Sequence, residues 1–347
     1  MRIAVNALYL LPGRVGGTEI YLRALVAALE TAGADLLLIT NLETGPLGRN
    51  SLVAPVHATN RPARIAFEQL RLPALLRNAD VLLNPGFTAP IYCRVPQVTV
   101  FHDLQHKRHP EYFRWFDLPA WRFLLWTSAR RSTRLIAVSE ATRTDLLRYY
   151  PFLDPARIDV VPHGVDAAFL DIRTRREPAD FVLCPSTTHP HKNHPRLLRA
   201  FARLRGEQPG LRLVLTGVQG FAQCEVEAMV LGLGLVGHVE IRGWAPREEF
   251  LELFRTARAV VYPSRFEGFG LPVAEALAAG VPVACSDIEP LRTIAAGQAH
   301  LFHPDDENGL LTALRQALAA NPPEAPAHLT WSRTAELTLQ SLAAACA

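Results

Sequence analysis

Residues 259–287 read AVVYPSRFEGFGLPVAEALAAGVPVACSD. The opening run is short and continuously apolar, as a strand buried on both faces is, and it ends at Pro263. Leu271 and Pro272 open a helix, because proline is favoured in a first turn. PVACSD (282–287) is a second strand-like run. Strand, loop, helix, strand is the repeating unit of a parallel sheet covered on both faces. The loop holds the chemistry. Gly268 and Gly270 free its backbone, so its N–H groups and the positive helix end are able to hold an anionic or polar ligand. Glu267 in the loop is placed for ligand hydroxyls. Glu275, about one turn inside the helix, is an acceptor-only carboxylate suited to a vicinal hydroxyl pair. A plainer reading makes Glu275 an answer to the helix dipole. That accounts for one glutamate and leaves the other, and the two glycines between them, without a reason.

The same alternation extends in both directions. RIAVNAL (2–8), DLLLIT (35–40), DVLLN (80–84), QVTVFHD (97–103) and RLIAVS (134–139) are strand-like, and TEIYLRALVAALETAG (18–33) is a helix stopped by Gly33. A second series starts with FVLC (181–184) and continues with RLVLTG (212–217), HVEIRG (238–243) and the stretch quoted above. Two such series predict an α/β protein of two Rossmann-like, doubly wound parallel-sheet domains, spanning 1–165 and 166–325. A final segment, 326–347, reads as one more helix after the proline-rich NPPEAPAH. The seam falls in VPHGVDAAFLDIRTRREPAD (161–180), which carries glycine, proline and a charge run with little apolar periodicity. Ligands of open sheets bind beyond the carboxyl ends of the strands, and a cleft between two domains is the default pocket.

Bulk properties narrow the classes. The 347 residues are 49% hydrophobic and 20% charged, enough for full cores and unlike a disordered chain. A net charge of +3 argues against a nucleic-acid binder. Residues 1–165 carry 19 Lys/Arg against 13 Asp/Glu, and the remainder 17 against 20, so the first half is the one to face an anionic partner. Only Lys107 and Lys192 are lysine among 36 basic residues, an arginine bias typical of GC-rich bacterial coding. Where lysine persists, a compact ammonium is wanted. Five scattered cysteines without a CxxC pair fit a reducing compartment. The first residues resemble neither a signal peptide nor a membrane span, so a cytoplasmic protein is expected.

Several motifs fail on context. GLGLVG (232–237) spells a dinucleotide loop but ends a helix and precedes a strand. There is no Gly-Lys pair for a P-loop, no GxSxG elbow and no DxD pair to hold a divalent cation on a pyrophosphate. Gly16 and Gly17 stand between the first strand and first helix, either as a plain turn or as a close backbone approach to a phosphate. VTVFHDLQHKRHP (98–110) sets His102 and Asp103 at a strand end. They read as a cleft-facing imidazole, a capping pair or, with His106 and His109, a metal cluster, in falling order. PSTTHPHKNHPRLLRAF (185–201) places His189, His191 and His194 around Lys192, with Asn193 or Thr188 to cap the next helix. An ammonium before a helix N-terminus suits a phosphate, and its charge opposes a bound cation, so an anion site is preferred to zinc. EYFRWFDLPAWRFLLWTSARRSTR (111–134) reads first as a core helix with a basic outer face. Its second reading is a membrane-surface helix, which would give the N-terminal domain peripheral contact with a membrane.

The glutamates spaced by seven residues in EGFGLPVAE (267–275) resemble the corresponding motif of the family-4 glycosyltransferases. FHDL, AVSEATRTDLL, VVPHGVD, HKNHPRLLRAF and LFHPDD follow that family's pattern in the same order, across nearly the whole chain. The resemblance implies a GT-B fold: two Rossmann-like domains facing a cleft, with a last helix crossing back to the first. It implies retaining transfer from a nucleotide-sugar donor to a saccharide or lipid-linked saccharide, usually without metal or other cofactor, in bacterial surface polysaccharide synthesis. By motif, Lys192 would hold the donor pyrophosphate, Glu275 the ribose and Glu267 the transferred sugar. Gly268 lies in the same donor loop, and Phe269, Gly270 and Leu271 would offer backbone N–H groups. Gly16 and Gly17 would approach the phosphate from the other domain, and His102 would lie beside the sugar.

Two positions depart from the family pattern. Thr187 stands where many members carry arginine, and His163 where asparagine is usual. The HPHKNHPRLLRAF region is similar to mannosyltransferases, which makes GDP-mannose the first donor to consider and UDP- or dTDP-sugars the next. The rival readings are a nucleotide-sugar 2-epimerase and a non-catalytic nucleotide-sugar-binding protein.

Overall fold

The computed structural model describes residues 1–13 and 16–347; Arg14 and Val15, in the glycine loop after the first strand, lie outside the described residues. Two compact units are present, one formed by Met1–Gly164 with Thr330–Ala347 and the other by Val165–Leu329. Among the described residues the first unit holds β1 (Arg2–Asn6), β2 (Asp35–Thr40), β3 (Ser51–Val53), β4 (Val81–Asn84), β5 (Gln97–Phe101), β6 (Arg134–Ala137) and β7 (Ile158–Val160). They form one sheet in the order β3-β2-β1-β4-β5-β6-β7, with every neighbouring pair parallel. The second unit holds β8 (Ala179–Pro185), β9 (Arg212–Thr216), β10 (Val239–Gly243), β11 (Ala257–Tyr262), β12 (Val283–Ser286) and β13 (His300–Phe302). Its order is β10-β9-β8-β11-β12-β13, again wholly parallel. Both units are therefore doubly wound, as the sequence pattern requires. The strand order reverses between β1 and β4 in one, and between β8 and β11 in the other.

Burial explains why the strands read as unbroken apolar runs. Val81–Asn84, Gln97–Phe101 and Val283–Ser286 are buried at every position, because helices cover both faces. In the second unit Cys184, Phe201, Leu213, Val261 and Leu314 share one core, so Cys184 acts as a small hydrophobe. β3, β7 and β13 escape a periodicity reading because each is three residues long. The segment 161–180 is more ordered than its composition suggests. It contains a helix, Ala167–Arg173, capped by the Asp166 carboxylate and anchored by the buried Phe169.

The helix Trp331–Cys346 belongs to the first unit, where it packs against the Gly17–Thr31 helix and the β4–β6 face. Thr330 caps it by accepting from the Arg333 N–H at 3.2 Å. Residues 162–164 receive it: the Thr334 hydroxyl donates to the Pro162 carbonyl at 2.8 Å, and Trp331 stacks on His163 at a 6.1 Å centroid distance. Gly164 has no room for a side chain, since an added Cβ would come within 2.2 Å of the Trp331 nitrogen.

The preferred reading of 111–134 is corrected in part. The helix Leu118–Arg131 does bury Leu124, Leu125 and Ala129. Its outer side is aromatic as well as basic: Phe123 and Trp126 reach solvent together with Arg130 and Arg131, and so do Arg114, Trp115 (83% exposed) and Phe116 in the residues before it. No helix among the described residues is long and apolar enough to cross a membrane.

Because backbone blocks the space beside Gly164, Gly164→Ala must displace the start of the last helix. Its thermal midpoint, followed by calorimetry, is expected to fall by about 5–10 °C, with the first unit losing protection in hydrogen exchange first.

Candidate functional site

The second unit gathers most of the expected residues at the reversal point of its sheet. β8 delivers residues 186–193 and β11 delivers residues 263–270, and the two strands are hydrogen-bonded neighbours. The backbone ties these loops together, the Arg265 N–H donating to the His191 carbonyl at 2.7 Å. Lys192 closes a one-turn 3₁₀ helix, Pro190–Lys192. Its ammonium donates to the Glu267 carboxylate at 2.6 Å and to the Tyr262 hydroxyl at 2.8 Å. Only 12% of the Lys192 side chain and 10% of the Glu267 side chain is exposed. The two residues expected to divide a ligand between them are thus paired with each other. Tyr262, at the last position of β11, was missed in the sequence because it reads as core; only its place at a strand's carboxyl end marked it out.

Asn193 and Thr188 correct the capping expectation. Asn193 precedes the His194–Glu207 helix in a left-handed conformation, φ 59°, and its side chain does not cap the helix. It donates instead to the Pro263 carbonyl at 3.2 Å and the Pro304 carbonyl at 3.0 Å, clamping the Lys192 loop to the end of β11. Thr188 donates to Gln223 at 2.8 Å and accepts from the Gly220 N–H at 2.8 Å.

The three histidines do not converge. His189 and His191 stack at 5.8 Å between centroids, with Phe221 edge-on to His189. His194 turns into the core, its Nε2 lying 3.1 Å from the Ser186 hydroxyl. Burial, helped by the Lys192 charge, lowers the pKa of His189 and brings that of His194 down to about 4. Among the described residues no group of three or more His, Cys, Asp or Glu is arranged to hold a metal ion.

After Glu267 the chain passes Gly268 and the buried Phe269 to Gly270, whose φ of 103° is a left-handed conformation. A Cβ there would also lie 2.2 Å from a Leu291 methyl, so both backbone and packing demand glycine. Leu271 and Pro272 then start the Leu271–Ala278 helix, as predicted. Glu275 is 4% exposed, and its carboxylate accepts no hydrogen bond from the described residues. Burial pushes its pKa up to about 8; Arg247 opposes the rise and Asp166 adds to it. Arg247 also pairs with Asp166 and lies over the Phe169 ring at 5.0 Å.

The first unit positions its own expected residues at the matching end of its sheet. Gly16, φ 60° and ψ −130°, is the N-cap of the Gly17–Thr31 helix, and no side chain caps it. A Cβ on either Gly16 or Gly17 would meet nothing within 4 Å, so these glycines border open space. Tyr21, one turn along, packs edge-on against His102 at 4.8 Å. His102 follows β5 and donates from Nε2 to the Pro85 carbonyl at 2.8 Å, which leaves Nδ1 as the acceptor. Burial lowers its pKa to about 4, so the imidazole is neutral near pH 7. The Pro85 carbonyl is held by a tight turn in which the Thr88 N–H donates to the Gly86 carbonyl and Phe87 takes a φ of 71°. Asp103 accepts from the Gln105 N–H at 2.9 Å. His106 lies 3.2 Å from the Tyr150 hydroxyl and His109 2.9 Å from Glu111, so neither joins His102.

Comparison with known proteins adds the context. A family model described as Glycosyltransferase Family 4 matches residues 15–169, and one described as Glycosyl transferases group 1 matches residues 169–331. O-antigen chain mannosyltransferase B of Escherichia coli is 29% identical over 234 residues, 64% of this chain and 61% of that protein. O-antigen chain mannosyltransferase RfbU of Salmonella typhimurium is 27% identical over 246 residues, 71% of this chain and 67% of that protein. The chain thus spans about two thirds or less of the length of these curated relatives. The crystal structure of Anabaena HepE in complex with UDP and glucose superposes with a TM-score of 0.70 at 19% identity, over 98% of this chain and 94% of that one.

Glu275 supplies a stability test. Above the ordinary carboxyl pKa of 4.5 the unfolded chain releases its proton, while the folded chain keeps it until about pH 8. Stability is therefore lost as pH rises through this window, at about 1.4 kcal/mol per pH unit. Glu275→Gln is expected to remove this loss, so that its thermal midpoint exceeds that of the parent protein at pH 8 and matches it at pH 5.

Proposed function

The chain belongs to the family-4 glycosyltransferases, with the GT-B fold, and on that premise we propose that it transfers a hexose from a nucleotide-diphosphate donor to a saccharide or lipid-linked saccharide. Mannose from GDP-mannose is the first donor to test, since both relatives above are named mannosyltransferases. The product belongs to surface polysaccharide synthesis. The observation that carries the reading is Glu275, a buried carboxylate with no hydrogen-bond donor among the described residues, one helical turn from the glycine loop that carries Glu267. Burying such a group unpaired costs several kcal/mol or forces it to hold a proton. A vicinal diol, such as a ribose, supplies the two missing donors.

The remaining groups fit the departure of a diphosphate. With no DxD pair in the chain, positive charge comes from Lys192 and from backbone N–H groups at Gly270 and Leu271, preorganised at a helix start. The bond from the sugar anomeric carbon to the diphosphate oxygen breaks, leaving an oxocarbenium-like centre. The acceptor hydroxyl attacks that carbon on the face the diphosphate leaves, so configuration is retained. Its proton passes to the departing diphosphate oxygen. Glu267 accepts from hydroxyls of the transferred sugar. His102 is neutral, so the role that fits it is acceptance of a sugar hydroxyl at Nδ1, and Gly17 allows close backbone approach to a phosphate.

The aromatic and arginine-rich side of the Leu118–Arg131 helix bears on the acceptor. Phe123, Trp126, Arg130 and Arg131 on the helix, with Arg114, Trp115 and Phe116 just before it, combine apolar insertion with attraction to anionic headgroups. This surface suits a peripheral visit to the membrane that carries a lipid-linked acceptor.

Two measurements test these readings. Lys192→Ala is expected to lower transfer by about 10²–10³-fold in a donor and acceptor panel, with activity insensitive to EDTA. Conversion of donor alone would identify an epimerase, and tight nucleotide-sugar binding without transfer or hydrolysis a binding protein. Cosedimentation with phosphatidylglycerol vesicles should exceed that with phosphatidylcholine and fall at least tenfold in Trp115→Ala/Trp126→Ala. Equal binding to both vesicle types would refute the membrane reading.

A further inference from the structure

Tyr262 sits in the crook of the Lys192–Glu267 pair, and we propose that it is the positioning residue that fixes the Lys192 ammonium for the donor diphosphate. This rests on the reading of Lys192 given above and extends it to a residue outside the glutamate and lysine motifs. The lysine is the last residue of a short 3₁₀ turn and reaches its place through four rotatable bonds. Left alone, such a side chain carries about 2 kcal/mol of rotamer entropy, and its charge would be spread over several positions. Tyr262 does not move in this way. It ends the central strand β11, is 2% exposed, and has a ring fixed by its neighbours in the sheet.

One hydrogen bond joins the residues. The Lys192 Nζ lies 2.8 Å from the Tyr262 hydroxyl oxygen and 5.0 Å from the ring centroid, so the ammonium sits at the hydroxyl end of the ring. The remaining contact, 2.6 Å to Glu267, is with a loop residue. An ammonium has three protons. Two are directed at Tyr262 and Glu267, and the third has no acceptor among the described residues. A diphosphate oxygen fits that third direction without displacing Tyr262. Tyr262 thus holds the lysine on the rigid strand while Glu267 remains free to exchange lysine for sugar hydroxyls. The phenol keeps its proton throughout, since burial and the Glu267 charge raise its pKa well above 10. It accepts from Lys192 through its lone pairs and contributes no proton to the reaction.

Lys192 and Lys107 are the only lysines, so ¹⁵N-lysine labelling gives two Nζ resonances, which Lys192→Ala assigns. In ligand-free protein the Lys192 signal is expected to show slowed proton exchange, and in Tyr262→Phe to shift and exchange at least several-fold faster. Binding of GDP and of UDP should weaken about tenfold in Tyr262→Phe, and donor kcat/KM should fall by the same factor with acceptor KM unchanged. A variant that lost only fold stability would not move the lysine resonance selectively. If Lys192→Ala weakens nucleotide binding but Tyr262→Phe leaves both binding and the Nζ signal as they were, the positioning role is overturned. If Lys192→Ala binds GDP and UDP like the parent protein, the diphosphate reading of the lysine falls, and the inference with it; the spectrum then still reports the tyrosine contact alone. Should Tyr262→Phe not fold, the parent spectrum decides, because rapid exchange at Lys192 Nζ contradicts a fixed ammonium.

Discussion

The adjacency of β8 and β11 governs the second unit. Where strand order reverses in a doubly wound sheet, the crossovers leave in opposite directions, and the two loops at that point are left side by side. Residues 75 apart in sequence, Lys192 and Glu267, meet there at 2.6 Å. The meeting is made by topology and reinforced by short-range ties: Asn193 to the Pro263 carbonyl, and the Arg265 N–H to the His191 carbonyl. Each tie uses a backbone group at the end of β11, so the lysine loop is registered against the strand and not against its own helix. The expected Asn193 cap is not made: its N–H groups go to the two carbonyls, and its left-handed backbone is not the extended conformation from which a side-chain oxygen caps a helix.

The electrostatics follow from that arrangement. The histidines nearest the lysine are pushed toward the neutral form, His194 by full burial and His189 by burial and the ammonium itself. They shape the loop by stacking and core hydrogen bonding. In the first unit His102 is neutral for the same reason, and its tautomer is set because a carbonyl oxygen accepts and never donates. The strained turn at Phe87 is what aims that carbonyl. Non-glycine residues hold a positive φ only when the surroundings over-determine them, and here the Phe87 ring is locked against Phe101, His102 and Trp121.

Much of this was legible in the sequence. Continuous apolar strands separated by helices announced two doubly wound sheets, because parallel strands must be covered on both faces. Gly270, Leu271 and Pro272 marked a helix start by residue chemistry alone. Three kinds of feature were not legible. Strands of three residues, such as β7 and β13, carry no periodicity to read. Tyr262 looked like a core residue, and it is one; its contact with Lys192 depends on where the lysine loop lies, which periodicity does not show. The exposed aromatics of residues 115–126 defeated the amphipathic pattern, because a surface with apolar and basic groups on both sides has no clear inner face.

Glu275 is a locally unfavourable residue for the fold. A carboxylic acid in the first turns of a helix gains from the dipole only while it is ionised. Burial has pushed Glu275 up to about 8, so near neutral pH it forfeits that gain. Leucine or methionine would pack the same position at lower cost, and nothing in the second unit's core requires a carboxylate there. Natural proteins keep such locally unfavourable residues where a ligand completes them. On the proposed reading, the ligand that completes this one donates two hydrogen bonds from adjacent carbons to Glu275 and brings negative charge to the Lys192 ammonium. A nucleotide-sugar donor of the kind proposed carries both groups in one molecule.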